Sequence, residues 1–146
     1  MDDLLARFLT LIETSQARLA ATGEDAAARP VKPGAWSRKQ ILGHLVDSAS
    51  NNHQRFVRCA LNGGLTGWPD YDQNRWVELQ NYQDAPWAAL VEFWAGYNRL
   101  LHHVLRHIPK EALAFRCHVE GSDKPLGEAA GSYLEHLEHH LRQILG

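Results

Sequence analysis

Nine histidines stand among the 146 residues, and three of them, His136, His139 and His140, crowd into one stretch near the C-terminus. On a helical wheel at about 100° per residue, the segment SYLEHLEHHLRQIL separates into distinct bands. Leu134, Leu137, Leu141, Ile144 and Leu145 form an apolar stripe, with Tyr133, His136, His140 and Gln143 in the band beside it. His139 points well away and is expected in solvent. His136 and His140 are therefore one turn apart on the shoulder of the core. Two imidazoles at i and i+4 can converge on one metal ion, the geometry that HExxH helices use. The spacing alone is a weak signal, because nine histidines in a short chain produce some such pair by chance. Two half-buried surface histidines would look the same.

A third ligand has to come from another helix, and His44 and His53 are the candidates. His44 falls with Ser48, Asn51 and Arg55 on a polar band far from its helix's apolar stripe, which reads as a solvated face or as a pocket wall. His53 falls within the stripe, where a hydrogen-bonded core histidine is the plain reading. Periodicity does not choose between them.

Four helical segments must position these groups, and turn signals separate them. The first runs from Asp2 to about Ala21, with Leu4, Leu5, Phe8, Leu11, Ile12 and Leu19 on one face, and Gly23 ends it. After a loop containing Pro30, Pro33 and Gly34, Ser37 is the expected N-cap of the second, which Gly63 and Gly64 close. Its stripe is Ile41, Leu42, Leu45, Val46, Ala49, Phe56 and Ala60. A long loop follows, with a short helix expected at Asn74–Gln80. Asp84 is the expected cap of the third helix, since Pro86 falls in its first turn, and Pro109 stops it. Phe115–Glu120 reads as extended but too isolated to make a sheet. The fourth helix spans about Pro125 to Ile144. Four such helices predict an all-α fold, a four-helix bundle, in one domain over residues 1–146, and the second long connection allows a crossover.

Two motifs carry a family resemblance. One is Trp36-Ser37 followed by Gly43-His44-Leu45-Val46-Asp47 and Gln54-Arg55-Phe56; the other is Tyr133-Leu134-Glu135-His136, His139-His140 and Gln143-Ile144. With Tyr71-Asp72-Gln73-Asn74-Arg75-Trp76, Asn81-Tyr82 and His118 between them, the chain resembles the DinB-like superfamily over nearly its whole length. The resemblance implies an up-down-down-up bundle, often dimeric, that binds one metal ion through His44, His136 and His140. It also implies a choice of activities. Assigned members include thiol S-transferases using low-molecular-weight thiols and mycothiol-dependent isomerases, while many others are labelled metal-dependent hydrolases.

Three neutral histidines leave coordination positions open, as in a catalytic rather than a closed structural site. The expected cofactor is a divalent transition metal, with zinc, nickel and iron not distinguished by the donor set. Such an ion lowers the pKa of a bound water or thiol, which suits hydrolysis or thiol transfer. The alternative is a metal-binding but non-catalytic interaction module, separated from an enzyme by the presence or absence of a substrate-sized cavity. Asp47, one turn from His44, is a candidate to orient it, with a solvated helix residue as the plainer reading. Asn51 and Tyr133 flank the expected ligands, and Tyr71, Asp72, Gln73, Asn74 and His118 are candidates for the pocket rim, each with ordinary loop capping as the alternative. Trp36 is expected to pack under the start of the second helix, and Trp68, Trp76, Trp87 and Trp94 to be core or interface residues. Cys59 has no activating partner in sequence, and Cys59 and Cys117 lack metal-ligand spacing.

Composition narrows the partners. Apolar content is 45%, charged content 22% and net charge -2, which leaves no basic field for nucleic acid or an anionic membrane. No apolar run is long enough to span a bilayer, and the N-terminal segment lacks the basic region of a signal peptide. With the dimer and the low-molecular-weight thiol that the resemblance implies as candidates, the expectation is a cytoplasmic homodimer acting on a small molecule.

Overall fold

The computed structural model describes every residue from Met1 to Gly146. In chain order the helices are α1 (Asp2–Ala20), α2 (Glu24–Ala28), α3 (Arg38–Asn62), α4 (Gln73–Gln80), α5 (Trp87–His107) and α6 (Leu126–Leu145). An antiparallel hairpin, β1 (Arg116–Val119) and β2 (Ser122–Pro125), lies between α5 and α6. The four long helices form a square in which α1 and α3 each pack against both α5 and α6. Phe8 and Ile12 of α1, Leu42, Leu45 and Phe56 of α3, Trp94 and Leu101 of α5, and Leu134 and Leu137 of α6 fill the interior. Each such side chain contributes about 1.5–3 kcal/mol through removal from water.

Side-chain contacts fix the helix directions. Arg18, near the end of α1, donates to the Leu145 carbonyl at the end of α6, so these two helices run together. Arg38, at the start of α3, donates to the Ile144 carbonyl, so α3 runs against α6. Trp87, first in α5, donates its indole N–H to the Leu19 carbonyl, so α5 runs against α1. The directions are therefore up, down, down and up, and α3 and α5 are parallel neighbours. A parallel pair cannot be joined by a tight turn. The connection from Gly63 to Pro86 has to climb back along α3, and α4 rests on α3 as it does so.

Ser37 caps α3 as its sequence predicts. Its hydroxyl accepts from the Gln40 backbone N–H, and the Gln40 side chain accepts from the Ser37 N–H. At α5 the expectation is corrected. Asp84 sits in a short 3-10 turn and accepts from Asn81, while the Trp87 N–H is satisfied by the Glu24 carboxylate from α2. Glu24 also pairs with the buried Lys39, so α2 clips the starts of α3 and α5 together. That clip links residues far apart in sequence, which no local pattern announces.

The second correction is at Phe115–Glu120, where a strand does find a partner. Glu120 and Gly121 both take positive φ, 48° and 75°, the two-residue turn that matches the twist of a hairpin. Leu65 extends it from the other side, donating its N–H to the Arg116 carbonyl and accepting from the His118 N–H, each at 2.8 Å. The hairpin thus ties the start of the long crossover to the approach of α6. No helix is long and apolar enough to cross a membrane.

Candidate metal centre

His44 on α3 and His136 and His140 on α6 converge between these two antiparallel helices. One ring nitrogen from each lies within 4.8 Å of the others. The Nε2 atoms of His44 and His136 are 3.1 Å apart. Two nitrogens bound tetrahedrally to one zinc-sized ion at about 2.0–2.1 Å would stand about 3.4 Å apart, so the spacing fits shared coordination. The His44 ring lies 4.8 Å from that of His140 and 5.5 Å from that of Trp36, centroid to centroid. Trp36 therefore walls the site rather than only supporting the helix.

The electrostatics favour lone pairs at these nitrogens. Burial, reinforced by the neighbouring imidazoles, lowers His44 from 6.5 to about 3. His136 falls to about 4 for the same reasons, and His140 is also lowered, chiefly by burial. All three are neutral near pH 7, the form that binds a metal. Gln143 accepts from Nδ1 of His140 at 2.9 Å, which places the remaining lone pair on Nε2, and its amide contacts the exposed His139 at 3.0 Å. Ser48 lies 3.4 Å from Nδ1 of His136. Nδ1 of His44 is buried without a hydrogen-bond partner.

A cavity of about 440 Å³ opens beside the histidines. His44, Ser48, Asn52 and Arg55 line it from α3, Ser132, Tyr133 and His136 from α6, Asp70, Tyr71 and Gln73 from the crossover, and Val119 and Glu120 from the hairpin. The polar band of α3 is thus a pocket wall, and His44 is 1% exposed. Tyr133 lines the cavity while donating its hydroxyl to Asn98 at 2.6 Å.

Other expected residues lie elsewhere. Asp47 does not orient His44; its carboxylate accepts from the Tyr82 hydroxyl at 2.6 Å and from Gln80 at 2.8 Å. Burial raises the Asp47 carboxyl, and these two bonds oppose the rise. Asn51 bonds back to the Asp47 carbonyl and does not line the cavity. Asp72 caps α4 through the backbone N–H groups of Asn74 and Arg75, and Asn74 faces a different surface. His118 pairs with Asp123 across the hairpin. His53 meets the Tyr97 hydroxyl at 3.3 Å, the hydrogen-bonded histidine its stripe position implies. Trp87 and Trp94 are core residues, but Trp76 is 38% exposed and leans on Tyr71. Asn52, Asp70, Val119, Glu120 and Ser132 line the cavity without a sequence expectation for it. Asn52 had a signal, four residues beyond Ser48 on the same helix.

The family model described as DinB superfamily matches residues 6–144. The chain belongs to the DinB superfamily. A "Putative metal-dependent hydrolase" of Oceanobacillus iheyensis is 26% identical over 143 residues, covering 94% of this chain and 81% of that protein. A Bacillus mycoides protein of the same description is 27% identical over 115 residues, covering 79% of this chain and 66% of its own length. Among solved structures, YfiT from Bacillus subtilis superposes on this DinB-superfamily chain with TM-score 0.78 at 21% identity, covering 96% of this chain and 83% of its own. It is described as a probable metal-dependent hydrolase with an unusual four-helix bundle topology. A mycothiol-dependent maleylpyruvate isomerase superposes with TM-score 0.74 at 15% identity, covering 97% of this chain and 60% of that one. At these identities the two structures establish the shared fold.

Proposed function

We propose that this protein is a metal-dependent enzyme acting on a small polar molecule, with a thiol or a water as the nucleophile it activates. The observation that carries the reading is the set of three neutral imidazoles beside a substrate-sized polar cavity. A substrate-sized cavity beside the ligands favours an enzyme over a non-catalytic metal module. His44, His136 and His140 would hold the ion from opposite helices, and Gln143 keeps the His140 proton on the side away from it. A divalent ion supplies Lewis acidity, bringing the pKa of water or a thiol toward neutrality. The chain's own part is to bind and orient. Ser48 and Asn52 offer hydrogen-bonding groups along one wall, and Tyr71 and Gln73 cover the cavity from the crossover. Asp70 and Glu120, exposed carboxylates on that wall, can relay a released proton to solvent.

The names of the relatives support hydrolysis, and the description of the isomerase supports a thiol. Two assays separate the arms: an activated ester without thiol, and low-molecular-weight thiols with an electrophilic acceptor. Turnover that needs the metal, and that falls about a hundredfold or more in His136→Ala, is expected in one of them. Metal-replete protein silent in both would overturn the enzyme reading. A homodimer, suggested by the family resemblance, and a cytoplasmic location, suggested by the cysteine usage, complete the proposal, and light scattering reads the oligomeric state directly.

A further inference from the structure

The cavity wall contains a cation that the histidine site does not use. Arg55 is 5% exposed, yet it has no carboxylate partner; the three ion pairs of the molecule lie elsewhere. Its guanidinium makes one hydrogen bond, from Nη1 to the Asn52 side-chain oxygen at 2.7 Å, and its Nε is buried with no partner. Burying an unpaired charge is costly, and native interiors normally satisfy each guanidinium donor. The unmet donor belongs to a residue that lines the same cavity as His44 and His136. A fixed guanidinium with a free edge suits the two oxygens of a carboxylate or another small oxyanion.

We propose that Arg55 is the anion anchor of the cavity, and that the substrate is a small molecule bearing a carboxylate or similar oxyanion on the side away from its reacting atom. This rests on the metal-dependent reading for the reacting end only. Along α3, Asn52 donates in turn to the Ser48 carbonyl and, at 3.4 Å, to its hydroxyl, and that hydroxyl approaches His136. Arg55 and His44 therefore share one rigid helix, and the Asn52–Ser48 bonds lead from Arg55 to His136 on α6. Asp70 and Glu120 act on Arg55 through space but are exposed and screened by solvent, and with them at the mouth the cavity suits a single negative charge rather than two.

The test titrates zinc-loaded protein calorimetrically with 5-mercaptopentanoate and with 5-mercaptopentanol, thiols of equal length that end in a carboxylate and a hydroxyl too far from the sulfur to chelate the ion. The acid is expected to bind about tenfold or more tightly, a preference lost in Arg55→Gln and partly restored in Arg55→Lys. Equal affinities in the unaltered protein, or a preference that survives Arg55→Gln, overturn the proposal. A second readout uses His140→Ala protein without added metal. There, acetate should still produce a saturable shift of the Arg55 Nε–H resonance, and no shift counts against the anchor. If the unaltered protein bound no metal while acetate still shifted that resonance, the metal reading would fall and the anchor would stand. Metal binding without the shift would give the reverse.

Discussion

His140 shows how much one side chain depends on its neighbour. Gln143 fixes its tautomer, so Gln143→Ala should weaken metal affinity about tenfold while leaving full occupancy at saturating metal, read by competition with a chromophoric chelator. The neutral histidines also set a pH dependence. His44 and His136 are lowered from 6.5 to about 3 and about 4, so as pH falls below 6.5 the unfolded chain takes up protons that the folded chain refuses. Stability of the metal-free protein should therefore decline from pH 6.5 toward pH 4. Urea midpoints at steps across that window check this, and the His44→Gln, His136→Gln double variant should flatten the slope; an unchanged slope would contradict the cause given. The His136–His140 pair was legible from its helical spacing. His44 was not, because its polar band reads equally as a solvated face or a pocket wall, and only the family motif selected it over His53.

At the scale of elements, α3 explains that ambiguity. From Ile41 to Ala49 every residue is buried, so a test for one wet face has no wet face to find. One side meets the core, and the rest meets Tyr82, the crossover and α6. Gly43 makes the closest of these approaches: a Cβ there would sit 2.1 Å from the Tyr82 ring. Gly43→Ala should displace Tyr82, break its bond to Asp47 and destabilise the fold by about 1–3 kcal/mol, measured by denaturant unfolding. Ser37→Ala should cost about 1 kcal/mol through the lost cap, with the metal ligands intact. The Ser37 cap was readable because its partner is three residues away. The Glu24 cap of α5 and the β1–β2 hairpin were not, since one depends on a partner 63 residues distant and the other on a Glu-Gly turn without the usual Asn or Asp.

For the whole molecule, the parallel pairing of α3 and α5 is the arrangement that builds the site. It forces the crossover back along α3 and so lays Asp70, Tyr71 and Gln73 over the cavity, while α6, antiparallel to α3, brings its two histidines to His44. Four helices were evident from periodicity, and the length of the second connection allowed this topology without requiring it. The identity of the cavity wall depends on four separate segments meeting, which is why Glu120 and Ser132 could not be read from their local sequence. The proposed chemistry depends on one divalent ion binding between α3 and α6. Elemental analysis of protein prepared without a polyhistidine tag should find about one ion per chain. It should find essentially none in the His44→Ala, His136→Ala, His140→Ala variant. An unaltered protein that takes up no ion under metal-replete conditions, or a triple variant that retains it, would contradict the account.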